Sequence, residues 1–256
     1  MRAADEGVSL LFALVALAQW DRPGLERWLK APIASEGNFV GSALLRASRL
    51  EMEGDLNAAL AVLDGLAERT NDAEARPMAH GVRARILLNA GHERDASEER
   101  QQALEFVRDR NMGLSVDGMH LNHTFIALDE ALFAPPDASL LGAVLQLVRY
   151  LDAEGLPVWM EYTARCVQRV FASVELWHGL LDDAQARFQR ALEWCERERC
   201  PVEAGRCLQG LAEVAERRGD GEQAMAYLDR AAALFSQHGA KLYLDRVLAK
   251  KQILKA

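Results

Sequence analysis

Residues 215–235 read AERRGDGEQAMAYLDRAAALF, and this stretch decides the fold. Gly219 can adopt the left-handed conformation that ends a helix, and Asp220 can cap the helix that follows. Ala224 and Ala231 lie seven residues apart, which is two helical turns, so small side chains line one helix face. A second helix can approach such a face closely. The stretch therefore predicts a helical hairpin with an alanine packing seam.

The same spacing recurs along the chain. In four places a glycine precedes an alanine by five residues, and a further small residue lies upstream on the preceding helix. Each of these units is predicted to be an antiparallel helical hairpin. The glycines are Gly54, Gly91, Gly179 and Gly219; the first alanines are Ala59, Ala96, Ala184 and Ala224; the second seam positions are Leu66, Ala103, Ala191 and Ala231; the upstream residues are Ala47, Ala84, Ala172 and Ala212.

The distances between the breaks indicate how many units the chain holds. They are 37, 88 and 40 residues, by subtraction of 54, 91, 179 and 219. The middle interval has room for two units, so a degenerate unit is predicted near 119–154. Its turn is formed by Pro135-Pro136, because proline cannot continue a helix.

Further elements are predicted at both ends of the chain. Trp20-Asp21 stands where Gly-Asp stands elsewhere, and Pro23 falls in the first turn of the next helix. A last helix is predicted from about Lys241. The composition favours helix nearly everywhere, since leucine, alanine, glutamate and arginine dominate. We expect an all-α fold, a right-handed α-solenoid of about six antiparallel hairpins plus a C-terminal helix, as one domain over 1–256.

Gly-Asp, the two alanines and a bulky residue between them, such as Phe188 or Leu228, resemble the tetratricopeptide repeat, whose period is about 34 residues. The units around Gly91 and Gly179 lack the aspartate. The longer spacing resembles the C-terminal repeat regions of bacterial ATPase-linked nucleotide cyclases and maltose-activator-type transcription regulators. This second resemblance implies that the chain is a fragment of a longer signalling protein.

The net charge of −8 disfavours binding to nucleic acid, which requires clustered Lys and Arg. Leu10–Ala18 is the apolar run LLFALVALA, which is too short to span a bilayer. We expect a cytoplasmic protein with this run buried in a helix, and a signal peptide is the alternative. Because the end of a solenoid requires a polar cap, we also expect a second copy of the chain or a parent-protein domain to cover the run.

Neither a metal, a cofactor nor an enzymatic activity is expected. The chain lacks a phosphate-binding loop and a G-x-S-x-G elbow. His120 and His123 form H-x-x-H without the glutamate of a zinc protease, and Asp182-Asp183 are interpreted as carboxylates at the start of a helix. The four cysteines form no C-x-x-C pair and are predicted to be free, partly buried thiols, with a metal site or a disulfide as the alternative. They are Cys166, Cys195, Cys200 and Cys207.

The remaining candidate site is a surface. The resemblance to tetratricopeptide arrays implies that the first helix of each hairpin lines a concave groove that holds a peptide or a partner domain. Three arginines on one face could hold the carboxylates of an acidic peptide, and the other interpretation is that they are solvated charges. The predicted function is a protein-interaction scaffold, with a small-molecule sensor as the alternative. The candidate groove residues are Ser48, Arg85, Phe125, Asp129, Arg169, Ser173, Trp177, Arg206, Gln209 and Glu213.

Overall fold

A computed structural model describes residues 12–30, 36–70, 75–109 and 166–255, together with helical residues 145 and 149. Every regular element in these ranges is an α-helix, so the fold is all-α. The predicted degenerate unit near 119–154 lies outside the described residues, apart from 145 and 149. The helices are α1 over 12–18, α2 Arg22–Leu29, α3 Glu36–Glu53, α4 Leu56–Leu63, α5 Leu66–Arg69, α6 Ala75–Asn89, α7 Glu93–Asp109, α8 Val167–Trp177, α9 Leu181–Arg197, α10 Pro201–Arg217, α11 Gly221–His238 and α12 Lys241–Lys255.

The predicted glycine breaks are confirmed, and all four end a helix in the left-handed region. Gly54, Gly91, Gly179 and Gly219 have φ angles of 85°, 82°, 75° and 80°. The residue after each glycine donates its backbone N–H to the carbonyl five residues earlier, at 2.9 Å in every case. This hydrogen bond is typical of a Schellman motif. The carboxylate of Asp220 then caps α11 by accepting the N–H three residues later at 2.9 Å.

Two breaks use a residue other than glycine. Trp20 and Arg199 both have a φ of 60°, and the residue after each makes the same backbone bond to the carbonyl five residues earlier. A side chain in this region costs roughly 1–2 kcal/mol. At Trp20 a tertiary contact offsets that cost, because the indole Nε1 donates to the carbonyl oxygen of His238. The predicted break at Trp20-Asp21 is thus confirmed, whereas the break at Arg199 carries no glycine and was not predicted.

The alanine seam is buried as predicted. The two helices of each pair pack together, α3 with α4, α6 with α7, α8 with α9 and α10 with α11, and the first helices α3 and α6 pack side by side, as do α8 and α10. No seam residue is more than 6% exposed, so the alanines bring the helices into close contact; Leu66 differs, because it lies on α5 beyond the end of α4 at Leu63. These residues are Ala47, Ala59, Leu66, Ala84, Ala96, Ala103, Ala172, Ala184, Ala191, Ala212, Ala224 and Ala231.

Two glycines inside α10 allow phenylalanine rings to lie on its backbone. A Cβ added at Gly205 would lie 2.5 Å from the ring of Phe235, and one added at Gly210 would lie 2.3 Å from the ring of Phe188. Both rings are fully buried, with exposures of 0% and 1%. Glycine normally weakens a helix interior by about 1 kcal/mol relative to alanine. Its presence here is explained by the approach of the rings from α9 and α11.

The N-terminal and C-terminal helices of the chain meet. Helix α12 packs against α3, and the Nη2 of Arg22 donates to the carbonyl of His238 at 3.1 Å. The side-chain amide of Gln19 donates to the carbonyl of Glu198 at 3.2 Å. A simple solenoid makes contacts between neighbouring repeats only. This closure between the two ends is a feature that the repeat pattern did not predict.

The contact between the two ends of the chain buries part of the apolar N-terminal run. Ala13, Ala16 and Leu17 are buried in one core cluster with residues of the C-terminal helices. Phe12 and Val15 remain 46% and 43% exposed on the opposite side. The inner face of α1 is therefore covered by its own chain. Cover of the outer face by a second copy or by a parent-protein domain stays a prediction.

Replacing Gly210 with alanine tests the ring-on-backbone packing. We expect Gly210→Ala to destabilise the protein by roughly 1–3 kcal/mol, because the added methyl group overlaps the buried Phe188 ring. Gly221→Ala is the matched control, since a Cβ at Gly221 meets nothing within 4 Å. The control should be neutral or stabilise the protein by up to about 1 kcal/mol. Urea unfolding measures both, and equal effects at the two positions would contradict the packing described.

Candidate functional site

The structure brings six of the ten predicted groove residues together around one pocket. Two others, Ser48 and Arg85, lie in a separate buried cluster on α3 and α6. Phe125 and Asp129 lie outside the described residues, as do His120 and His123. The six residues that share the pocket are Arg169, Ser173, Trp177, Arg206, Gln209 and Glu213.

Arg85 is a buried structural residue. Its side chain is 1% exposed and its guanidinium forms a bidentate pair with Glu51 of α3, with Nε–Oε1 at 2.9 Å and Nη2–Oε2 at 2.7 Å. Ser48 accepts a longer bond from the same guanidinium at 3.4 Å, and Asn89 donates to Glu51 at 2.6 Å. The prediction that Ser48 and Arg85 line a groove does not hold, because their polar atoms join α3 to α6 inside the protein.

The buried pair predicts a large loss of stability on single substitution. Arg85→Ala leaves the Glu51 carboxylate buried without its guanidinium, which should cost about 3–5 kcal/mol in urea unfolding. The double substitution Glu51→Leu with Arg85→Met should recover much of that loss, since apolar replacement of a whole buried pair is often tolerated. Arg94→Ala is the control, because Arg94 is exposed and pairs with Glu98 on the same helix. A small loss at Arg85, matching the control, would show that the pair contributes little.

A second buried carboxylate organises the wall of the pocket. Glu203 of α10 is 2% exposed and accepts from Arg169 Nε of α8 and from Arg206 Nη1, both at 2.8 Å. The backbone N–H of Cys166 donates to the same carboxylate at 2.8 Å. Two guanidinium groups thus share one carboxylate, so this group of side chains carries a net positive charge.

The pocket is small and open to solvent on one side. Its volume is about 210 Å³, and it lies between α8, α10 and α12. Trp177 is 40% exposed at its rim. Tyr243 lies at its base with the Arg206 guanidinium 5.1 Å from the ring centroid, a cation–π contact. Gly210 and the ring of Phe188 complete an apolar part of the lining.

Sequence reasoning missed the contribution of α12. Tyr243 and Arg246 both line the pocket, but the last helix had been counted outside the repeats and contributed no candidate. A signal was present: Arg246 follows Arg206 by 40 residues, by subtraction of 206 from 246, the same interval that separates Gly179 from Gly219. Helix α12 therefore occupies the position of another first helix, and its side chains face the pocket as those of α10 do.

The cysteines are free and buried, as predicted. Burial raises the pKa of Cys200 to about 12, and burial likewise raises the pKa of Cys207. Within the described ranges, no group of three or more His, Cys, Asp or Glu side chains could hold a metal ion. Asp182 and Asp183 lie in the first turn of α9 as predicted, although the N-cap itself is Leu180.

The raised pKa of Cys200 predicts a loss of stability in alkali. An unfolded thiol ionises near pH 8.5, whereas the folded thiol stays protonated up to about pH 12. The contribution of Cys200 is therefore complete below about pH 8.5 and falls by about 1.4 kcal/mol per pH unit above it. Cys200→Ala should reduce the drop in unfolding free energy between about pH 7 and pH 10 by about 2 kcal/mol. Urea unfolding at the two pH values measures it, and an unchanged drop would contradict the burial of this thiol.

No helix in the described part of the chain is long and apolar enough to cross a membrane. No protein-family model matches this chain, and no curated protein matches it either. Among solved structures the chain is similar to BtubC (BKLC) from P. vanneervenii, with 18% sequence identity over 91% of each chain and a TM-score of 0.42.

Proposed function

We propose that this chain is a non-catalytic protein-interaction module of tetratricopeptide-like hairpins, and that its pocket holds a carboxylate-bearing segment of a partner protein. The observation that carries the proposal is a small pocket walled by arginines with an exposed tryptophan at its rim. Arginine recognises carboxylates through paired N–H donors, and tryptophan is a common anchor at protein interfaces.

The local charge supports an acidic ligand. Arg169, Arg206 and Arg246 line the pocket together with Glu213, and Glu203 lies behind its wall. Among these described residues three arginines face two carboxylates, in a chain whose net charge is −8. A guanidinium carries several N–H donors, so an arginine that already pairs with one carboxylate can still donate to another. The surrounding negative charge disfavours general polyanions and leaves a compact carboxylate group as the matching ligand.

The size of the pocket supports a peptide over an enclosed small molecule. Pockets for drug-sized ligands usually have volumes of about 300–1,000 Å³. The 210 Å³ found here suits a single side chain or a chain terminus, with the rest of the partner lying outside. The six lining residues from the predicted set come from α8 and α10, neighbouring first helices, as expected for a groove that runs across repeats.

A second pocket favours the alternative of a small-molecule sensor. It has a volume of about 330 Å³ and lies between Gln19, the turn around Cys200 and the end of α11 at Leu234 and His238. Its lining is less charged than that of the first pocket, so it would suit an apolar ligand. The peptide proposal is preferred because its site combines charge, an aromatic anchor and a position on the first helices.

Fluorescence anisotropy tests the proposal with short fluorescein-labelled peptides. One peptide carries a central Glu-Glu pair and the other carries Gln-Gln at the same positions. We expect the glutamate peptide to bind about tenfold more tightly, because each charge-assisted bond contributes about 1.5–3 kcal/mol, and to bind more weakly at high salt.

Two aromatic substitutions locate the binding surface. Trp177→Ala should weaken binding of the glutamate peptide, because it removes the anchor at the rim of the pocket. Phe39→Ala is the matched control, since Phe39 is a similarly exposed aromatic residue, 51% against 40%, on α3 away from the pocket lining. Equal affinity for both peptides, or equal effects of both substitutions, would show that this pocket is not the binding site.

A further inference from the structure

Arg246 belongs to two structural features at once. It lies on α12 and lines the pocket, and its Nη2 donates to the Oδ1 of Asn89 at the end of α6. The two residues are 157 positions apart in the chain. The pocket and the contact between the two ends of the chain therefore share one side chain.

The orientation of Asn89 is fixed from its other side. Its Nδ2 donates to Oε1 of Glu51 at 2.6 Å, and the same carboxylate holds the buried guanidinium of Arg85. An amide has its donor and its acceptor on opposite atoms. Because the carboxylate accepts from the nitrogen, the oxygen of Asn89 faces Arg246. A continuous polar chain thus runs from the buried pair between α3 and α6 to the wall of the pocket.

We infer that Asn89 is a positioning residue for the pocket, and that a carboxylate bound beside Arg246 stabilises the contact between α12 and the N-terminal helices. Asn89 holds the guanidinium of Arg246 in place from behind, at the wall of the pocket. Coupling between two equilibria is reciprocal. If the contact between α12 and the N-terminal helices positions Arg246 for the ligand, the bound ligand must stabilise that contact by the same free energy. This inference rests on the proposed function, because it concerns the same ligand and the same pocket.

The other hydrogen bonds of the closure lie away from the pocket: Gln19 donates to Glu198, and Trp20 and Arg22 donate to His238. Helix α12 also meets the end of α3 at Lys241, whose side chain lies 3.5 Å from the position that a Cβ of Gly54 would occupy. Two further lysines of α12 pair with the C-terminal helices, Lys250 with Glu216 of α10 and Lys251 with Asp229 of α11. Arg246 is thus the pocket-lining residue through which a ligand would act on the N-terminal half.

A double-mutant cycle tests the positioning role with the fluorescein-labelled glutamate peptide. Asn89→Ala should weaken binding about three- to tenfold although Asn89 does not line the pocket, and Arg246→Ala should weaken it about tenfold or more. The double substitution should be no weaker than Arg246→Ala alone, because Asn89 acts only through Arg246. A purely structural loss at Asn89 would add to the loss at Arg246 and would overturn the inference.

Two further variants keep this result interpretable. Asn89→Ser removes the amide with a smaller change in polarity, and it replaces Asn89→Ala in the cycle if the alanine variant does not fold. Lys251→Ala removes a charge from the same helix outside the pocket lining and should leave the affinity unchanged. An effect of Lys251→Ala equal to that of Arg246→Ala would overturn the inference, because the loss would then reflect the general charge of α12.

Hydrogen exchange measures the reciprocal effect. Addition of the glutamate peptide should slow amide exchange in residues 241–255 and at the end of α6 in the wild-type chain, and should slow it less in Asn89→Ala. If the peptide binds and exchange in these segments is unaffected, the inference is wrong while the proposed function stands. If the wild-type chain binds the glutamate and glutamine peptides equally, the proposed function fails and the inference fails with it.

Discussion

The left-handed residue at the tight turn between paired helices is the constraint on which the structure depends. The following N–H bonds to the carbonyl five residues earlier, so the chain reverses within two or three residues. Because this geometry is the same at Gly54, Gly91, Gly179 and Gly219, the paired helices meet at equivalent positions in each hairpin. The alanines five residues after each break are therefore always on the buried side. Trp20 and Arg199 adopt the same geometry, which shows that the break is required by the fold even where glycine is absent.

Buried arginine–glutamate pairs join neighbouring first helices. Glu51 and Arg85 are 34 residues apart, and so are Arg169 and Glu203, although the order of acid and base is reversed. This interval is shorter than the 37 and 40 residues that separate the corresponding glycine breaks. The pairs therefore join positions that are not equivalent: the second partner lies three residues further from its break than the first in one pair and six in the other. Each pair joins residues of two different hairpins, so these pairs favour the packed array over an isolated hairpin.

Much of the fold could be predicted from the sequence, because helix breaks and seams depend on local residue types. Gly219-Asp220 and the alanines that follow are a local pattern, and the start of α12 at Lys241 was predicted as found. The burial of an arginine is a different matter. The sequence pattern placed Arg85 in a groove, but Arg85 is buried because it pairs with Glu51 from another repeat. The contact of α12 with α3 joins helices that are far apart in the sequence, and no local pattern encodes such a contact.

The same side chains hold the repeats together and form the wall of the candidate site. Arg206 cannot be removed without leaving Glu203 with one guanidinium fewer in a buried position. A loss of affinity after such a substitution would therefore mix binding with folding. Trp177 and Arg246 differ in this respect. Trp177 lies at the rim of the pocket, Arg246 lies on the last helix, and both are only partly buried. Arg169 and Arg206 reach the pocket because their bonds to Glu203 hold them where α8 packs against α10. The position of the pocket is thus a consequence of how the repeats are joined.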